Sequence, residues 1–177
     1  MYKKIVLIGY MGSGKTVVGM QLAKKLRIKF SDLDEYISCK EKMDIPTIFE
    51  KKGEIYFRKK EKKYLKELLE TDVTEVISLG GGTPCYGDNM KLILQNENTV
   101  SIYLSAQPDT LTERLYPDKN KRPLICFLNS REDLLDFIKK HLFERNYYYL
   151  QAQHTVATDL KTIEETVSEI YNYLKNK

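Results

Sequence analysis

The sequence predicts an α/β fold in which helices cover both faces of a parallel β-sheet. Short apolar runs alternate along the chain with longer segments of helical periodicity, and these runs lie at residues 5–8, 28–30, 76–79, 100–104 and 155–157. The first run, Ile5–Ile8, is continuously apolar and ends at a glycine loop, which is typical of a buried parallel strand. Alternation of this kind gives βα units joined into one sheet.

Helical segments connect these runs. Residues 15–26 place Val18, Leu22, Ala23 and Leu26 at helical spacing, and Pro46 suits the first turn of a long, charge-rich helix. Further helices are expected at residues 45–69, 109–115, 134–150 and 163–174. Residues 116–129 carry two prolines, four charges and little periodicity, so we expect a long mobile loop there.

Composition favours a single globular domain spanning residues 1–177. Hydrophobic residues make up 42% of the chain and charged residues 31%, close to ordinary globular usage. The net charge of +4 is dispersed, and the lysines of residues 59–63 suit a solvated helix face. We therefore expect no nucleic acid partner. A mild positive charge suits small anionic substrates equally well.

Cysteine usage and hydropathy point to a reduced, cytoplasmic protein without a membrane partner. The three cysteines, Cys39, Cys85 and Cys126, are far apart and form no CxxC pair, so neither a disulfide framework nor a zinc site is expected. The apolar run near the N-terminus is too short for a signal peptide. No apolar stretch reaches the ~18 residues that a membrane span needs.

The segment Gly9–Thr16 matches the phosphate-binding pattern GxxxxGK[ST] at every fixed position. Backbone N–H groups around Gly12, Ser13 and Gly14 would face phosphate oxygens, and the following helix would add its positive end. Lys15 would contact the β and γ phosphates, and the Thr16 hydroxyl would bind Mg²⁺. An ordinary glycine turn is the alternative, but the strand before and the helix after favour an ATP site.

Missing motifs narrow the class of phosphate-loop protein. The nearest match to the base-recognition motif NKxD of GTPases is residues 120–123, which lack the aspartate. The third strand carries no carboxylate where many ATPases place an acid linked to magnesium. These absences favour a compact kinase that acts on a small metabolite.

Two carboxylates, Asp32 and Asp34, directly follow the second strand. Ligands of open α/β sheets bind beyond the carboxyl ends of the strands, so both acids should lie near the phosphate loop. One could lie near the metal and the other beside the acceptor hydroxyl. Either could instead cap the helix that follows, and the residues alone leave both possibilities open.

Six motifs in this order resemble shikimate kinase, and together they span nearly the whole chain. They are the loop Gly9–Thr16, the pair Asp32 and Asp34, Gly53–Arg58, Gly80–Gly82, Arg122–Leu124 and Arg145–Ala152. The resemblance implies a P-loop kinase fold like that of the nucleoside monophosphate kinases, with a five-stranded parallel sheet and a mobile lid. It also implies transfer of the terminal phosphoryl group of ATP to the 3-hydroxyl of shikimate, with Mg²⁺, in aromatic amino-acid biosynthesis.

The resemblance also implies roles for individual residues. Arg58 and Arg145 would bind the shikimate carboxylate by paired hydrogen bonds, and Asp34 would orient the attacking hydroxyl and accept its proton. Asp32 would hold Mg²⁺ through water. The backbone at Gly80, Gly81 and Gly82 would approach the substrate.

Further parts of the family pattern concern the nucleotide and the moving segments. Arg122 would reach the phosphates from a lid at about residues 116–129, and Arg114 would stack on adenine. Residues 33–62 would form the substrate-binding segment, in a protein expected to be a monomer.

Three other readings compete with this resemblance. Gluconate kinase would share the phosphate loop but would need no arginine pair for a carboxylate. A nucleoside monophosphate kinase does not usually carry a DxD pair after the second strand. A non-catalytic nucleotide-binding module would have been signalled by loss of Lys15, Asp34 or Arg122, and all three are present.

Overall fold

The computed structural model describes residues 2–176 and contains a five-stranded parallel sheet in the spatial order β2-β3-β1-β4-β5. The strands are β1 (Lys4–Ile8), β2 (Lys29–Asp32), β3 (Glu75–Ser78), β4 (Thr99–Ser105) and β5 (His154–Ala157). In the register of the central strand, Ile5 pairs with Val76 on one side and Val100 on the other. The predicted α/β class and the predicted strands are confirmed.

Seven α-helices flank this sheet within the described residues. They are α1 (Lys15–Leu26), α2 (Leu33–Glu41), α3 (Ile45–Glu70), α4 (Asn89–Gln95), α5 (Pro108–Leu115), α6 (Arg131–Tyr149) and α7 (Ile163–Lys175). Periodicity gave no bounds for α2 and α4, because both are too short for a clear repeat. Across residues 2–176, none of these helices combines the length and the apolar character needed to cross a bilayer.

Both faces of the sheet are buried, and β1 shows why its sequence is continuously apolar. Ile5 and Leu7 belong to the hydrophobic cluster that includes helices α1 and α7, whereas Val6 and Ile8 belong to the cluster that includes α3 and α6. Alternate side chains of a strand point to opposite faces, so a strand covered on both faces needs apolar residues at every position.

Helix α3 departs from the prediction of one regular helix over residues 45–69. Gly53 has φ 79° and ψ 169°, which interrupts the helical backbone before the segment that carries Arg58. A residue with a side chain would rarely adopt this φ. Before this break, Ile48 is fully buried whereas Phe49 is 37% exposed.

A buried ion pair between Lys4 and Glu75 lies at the amino ends of β1 and β3. Lys4 Nζ donates to Glu75 Oε1 over 2.8 Å, to Thr71 Oγ1 over 2.6 Å and to the Val73 carbonyl over 2.7 Å. Ser31 Oγ donates to the other oxygen of Glu75 over 2.6 Å. These partners satisfy the buried charges at this end and leave the open carboxyl ends of the strands for ligands.

Candidate active site

A cleft of about 400 Å³ lies at the carboxyl ends of β1, β2 and β3. The loops after these three strands line it, together with residues from α5 and the segment that follows. The lining residues are Met11, Gly12, Gly14, Lys15, Thr16, Val17, Asp32, Asp34, Ser78, Leu79, Gly80, Gly81, Arg114 and Arg122. The cleft thus brings together most of the residues that the sequence analysis selected.

The loop after β1 has the backbone of a phosphate cradle. Gly9, Gly12 and Gly14 have φ angles of 145°, 80° and 90°, and a Cβ at Gly9 would lie 2.5 Å from the Leu104 carbonyl oxygen. The φ angles favour glycine at all three positions, and at Gly9 a side chain is also excluded sterically. The Ser13 amide donates to the Tyr10 carbonyl over 3.2 Å, and Ser13 lines a second, neighbouring cleft instead of the first.

Lys15 is buried in the middle of this loop. Its Nζ donates to the carbonyl oxygens of Gly9 and Tyr10, each over 2.9 Å. Burial lowers the pKa of Lys15 to about 8; the nearby carboxylates of Asp34 and Asp32 oppose this shift, whereas Arg122 and Arg145 add to it. This concentration of cations around a glycine cradle fits a polyphosphate.

The Asp32 side chain has two separate partners. One carboxylate oxygen accepts from the Asp34 amide over 3.0 Å and caps α2, while the other accepts from Thr16 Oγ1 over 3.1 Å. The capping role and the position near the phosphate loop therefore coexist in Asp32. No cluster of three or more His, Cys, Asp or Glu side chains suited to a metal is found in residues 2–176. The oxygens of Thr16 and Asp32 are nevertheless enough for Mg²⁺, because this ion keeps several waters and takes further oxygens from phosphates.

Asp34 does not cap the helix; its carboxylate lies against the glycine turn after β3. A Cβ at Gly80 would lie 3.2 Å from Asp34 Oδ1. Burial raises the pKa of Asp34 to about 6; Asp32 and Glu61 add to this shift, and Lys15 and Arg58 oppose it. At neutral pH such a carboxylate is ionised and is a better proton acceptor than an exposed one.

Arg58 lies on the other side of the same turn. Its Nη1 donates to Glu61 Oε2 over 3.0 Å, and a Cβ at Gly82 would lie 3.2 Å from both terminal nitrogens. Glu61 is 1% exposed and also accepts from Thr83 Oγ1 over 2.7 Å. Glu61 was not predicted as a site residue, although a carboxylate three residues after a helical arginine is a recognisable signal.

Arg145 on α6 has no carboxylate within 4.0 Å among the described residues. Its guanidinium carbon lies 5.5 Å from the centre of the Tyr10 ring. Burial raises the pKa of the Cys85 thiol to about 11, and Arg145 and Arg58 both act to lower it.

Tyr149 links α6 to the glycine turn through a hydrogen bond. It is fully buried, and its hydroxyl donates to the Gly81 carbonyl over 2.5 Å. Tyr147, two residues earlier on the same helix, is by contrast 74% exposed. The hydrogen bond to Gly81 was not predicted, because pairing across 68 residues leaves no local signal.

Arg114 and Arg122 both line the cleft. Arg114 donates to the Gly12 carbonyl over 3.3 Å and to Thr158, at Oγ1 over 3.1 Å and at the carbonyl over 2.8 Å. It also lines the second cleft, of about 200 Å³, between the phosphate loop and the start of α7. Arg122 is exposed, and the fully buried Ile125 anchors the chain just after it.

Comparisons with known proteins agree with this geometry. The family model described as shikimate kinase matches residues 11–175. A protein from Flavobacterium johnsoniae named shikimate kinase is 49% identical over 172 residues, covering 97% of this chain and 99% of its own.

Solved structures give the same result. The crystal structure of shikimate kinase from Bacteroides thetaiotaomicron has a TM-score of 0.88 at 36% identity, covering 97% of this chain and 98% of its own. Shikimate kinase from Acinetobacter baumannii in complex with shikimate has a TM-score of 0.85 at 34% identity, covering 98% and 94%. The predicted P-loop kinase fold is confirmed, and the chain belongs to the shikimate kinase family.

Proposed function

We propose that separate groups of residues in and around the cleft bind the nucleotide, bind the acceptor and accept the proton. The protein is a kinase that transfers the terminal phosphoryl group of ATP to the 3-hydroxyl of shikimate, giving shikimate 3-phosphate and ADP. The reaction depends on Mg²⁺ and belongs to the biosynthetic route to the aromatic amino acids.

The nucleotide side is assigned to the phosphate loop and two arginines. The loop residues Gly12, Ser13 and Gly14 shape the cradle, and buried Lys15 supplies positive charge toward the β and γ phosphates. Arg114 borders the second cleft, which suits the nucleoside, and Arg122 adds charge beside the phosphates.

Thr16 and Asp32 are the residues that would hold Mg²⁺. Their oxygens lie 3.1 Å apart at the mouth of the phosphate loop, and they leave most coordination positions to water and phosphate. When bound, the ion neutralises charge on the phosphate oxygens.

The acceptor side is assigned to Arg58 and Arg145 for the carboxylate and to the turn Gly80–Gly82 for close backbone approach. Asp34 orients the attacking hydroxyl and accepts its proton. The observation that carries this assignment is the position of Asp34, a carboxylate with a pKa of about 6 between Lys15 and the glycine turn. A gluconate kinase would need no pair of arginines for a carboxylate, whereas Arg58 and Arg145 are both present here.

Two segments are proposed to move, residues 116–129 as a lid that carries Arg122 and residues 33–62 as the substrate-binding segment. Closure would exclude water, which competes with the acceptor hydroxyl. We also assign the protein as a cytoplasmic monomer, and gel filtration with light scattering would test its oligomeric state.

The function is tested by measuring ADP formation at fixed ATP and Mg²⁺ with shikimate, gluconate or AMP as the acceptor. Strong turnover with shikimate alone is the expected result. Turnover with gluconate or AMP in its place would retain the nucleotide site and overturn the acceptor site.

A further inference from the structure

Tyr10 lies inside the phosphate loop at a position that the GxxxxGK[ST] pattern leaves open. Its side chain is 1% exposed, so it points away from solvent into the core beneath α6. Nucleotide binding by the loop backbone does not require a large aromatic residue here, and the reaction as assigned above does not use it. The contacts of Tyr10 therefore need their own explanation.

Tyr10 is held at its hydroxyl by α6 and at its backbone by the phosphate loop. The hydroxyl is hydrogen-bonded to His141 Nδ1 at 3.1 Å, and the Tyr10 carbonyl accepts from Lys15 Nζ over 2.9 Å. His141 is itself held by Phe137, with ring centres 4.1 Å apart. Because the backbone belongs to the nucleotide loop and the hydroxyl is bound to α6, the ring has little freedom to rotate or shift.

Arg145 lies one helical turn after His141 on the same helix, and its guanidinium carbon is 5.5 Å from the centre of the Tyr10 ring. This distance is within the ~6 Å range of favourable cation–π contacts. Burial raises the pKa of Tyr10 to about 12, so the phenol remains neutral and the ring face, not a phenolate, meets the arginine. Arg145 lacks a carboxylate partner among residues 2–176, unlike Arg58, which is held by Glu61.

We propose that Tyr10 is a positioning residue for the acceptor: its ring holds the Arg145 guanidinium toward the acceptor carboxylate, and His141 fixes the ring. This proposal rests on the assignment of Arg145 to the acceptor site. A neutral ring orients the cation without neutralising it, so the charge stays available for an anionic substrate. Arg145 is thus oriented by an aromatic face, whereas Arg58 is oriented by the carboxylate of the buried Glu61.

The test uses the variants Tyr10→Met, Tyr10→Leu and Tyr10→Phe, with steady-state KM values for shikimate and ATP. Methionine and leucine fill much of the space without an aromatic face, whereas phenylalanine keeps the face and loses the hydroxyl. We expect the shikimate KM to rise roughly 3- to 30-fold in the first two variants, the range of a lost cation–π contact. The ATP KM should stay within about twofold of the wild-type value. Tyr10→Phe keeps the ring face but loses the bond to His141, so its shikimate KM should lie between that of the wild type and those of Tyr10→Met and Tyr10→Leu.

A double-mutant cycle separates positioning from general loss of structure. If Tyr10 acts through Arg145, Tyr10→Met should raise the shikimate KM no further in an Arg145→Ala background. Tyr64→Leu is the matched control, since Tyr64 is 5% exposed in the same hydrophobic cluster and is bound to Glu41 instead of an arginine. Its KM values should be those of the wild type.

The proposal would be overturned by an unchanged shikimate KM in Tyr10→Met, by an equal rise in the ATP KM, or by the same effect in both Arg145 backgrounds. Thermal unfolding of each variant, with and without ADP, shows whether fold and nucleotide site survive. Wild-type turnover with shikimate tests the proposed function separately. A failed cycle in an active enzyme therefore rejects only the role of Tyr10.

Discussion

Arg58 Nη1 lies 3.0 Å from Glu61 Oε2, and the carboxylate side chain is 1% exposed whereas the arginine side chain is 17% exposed. The buried carboxylate thus fixes the more exposed guanidinium group. Glu61 also accepts from Thr83 Oγ1, and the Thr83 carbonyl accepts from Asn89 Nδ2 over 2.9 Å. Through these bonds the orientation of Arg58 depends on the turn after β3.

Replacing Glu61 with glutamine should loosen Arg58 without removing it. A neutral amide keeps the size of the carboxylate but loses a charge-assisted hydrogen bond, which contributes about 1.5–3 kcal/mol. We expect the shikimate KM to rise roughly tenfold while the ATP KM stays nearly constant. Glu54→Gln is the control, because Glu54 contacts the same guanidinium but is 61% exposed. Equal effects from both variants would contradict this role for Glu61.

Replacing Asp34 with asparagine should remove the proton acceptor and leave the nucleotide site intact. Turnover should fall at least about a hundredfold, the lower end of what a positioned general base contributes. ADP affinity, measured by calorimetry, should change little because the loop contacts of Lys15 do not involve Asp34 directly. Glu35→Gln, one residue away and exposed, should behave as wild type. Turnover near the wild-type rate in Asp34→Asn would remove the assignment.

Activity should depend on pH through the same carboxylate. Burial and the neighbouring acids raise the pKa of Asp34 to about 6, and only the ionised form can accept the proton of the hydroxyl. The value of kcat/KM for shikimate should therefore fall about tenfold per pH unit below about 6 and level off above it. A profile that stays flat down to pH ~4.5 would show that no group of raised pKa controls the reaction.

The sheet was predictable from sequence because its signals are local. Continuous apolar runs such as Ile5–Ile8 and the glycine loop that follows report directly on a buried strand and a turn. The break at Gly53 was not predicted, because one glycine within helical periodicity does not reveal its φ angle. The short helices α2 and α4 likewise offer too few residues for a period to stand out.

The site was predictable where a residue type has one common use in a fixed motif. Lys15, Asp32 and Asp34 fall in the cleft as expected. The burial of Glu61 and its bond to Thr83, and the position of the Tyr10 ring beside Arg145, were not predicted because only folding brings these partners together. A sequence motif predicts the residues that contact the ligand better than the residues that position those side chains.

The packing of α2 against α3 provides a prediction about stability. Glu41, the last residue of α2, accepts hydrogen bonds from the hydroxyls of Tyr56 and Tyr64 on α3, and it forms an ion pair with Lys60 at 2.7 Å. Its side chain is 7% exposed. Glu41→Gln replaces the charged acceptor of these three donors with a neutral amide. This change should lower the free energy of unfolding by about 1–3 kcal/mol at neutral pH.

The pH dependence of this loss identifies its cause. The hydrogen bonds from Lys60, Tyr56 and Tyr64 lower the pKa of Glu41 from 4.5 to about 2. A carboxyl whose pKa is depressed on folding stabilises the protein fully above its unfolded value, and this contribution is lost as pH falls from 4.5 toward 2. The difference between wild type and Glu41→Gln, from urea unfolding, should therefore be constant above pH ~5 and shrink below it. Glu50→Gln, on the exposed face of α3, is the control and should show neither effect. If the difference between wild type and Glu41→Gln stayed unchanged down to pH ~3, the loss of stability would come from side-chain packing and not from the carboxylate charge.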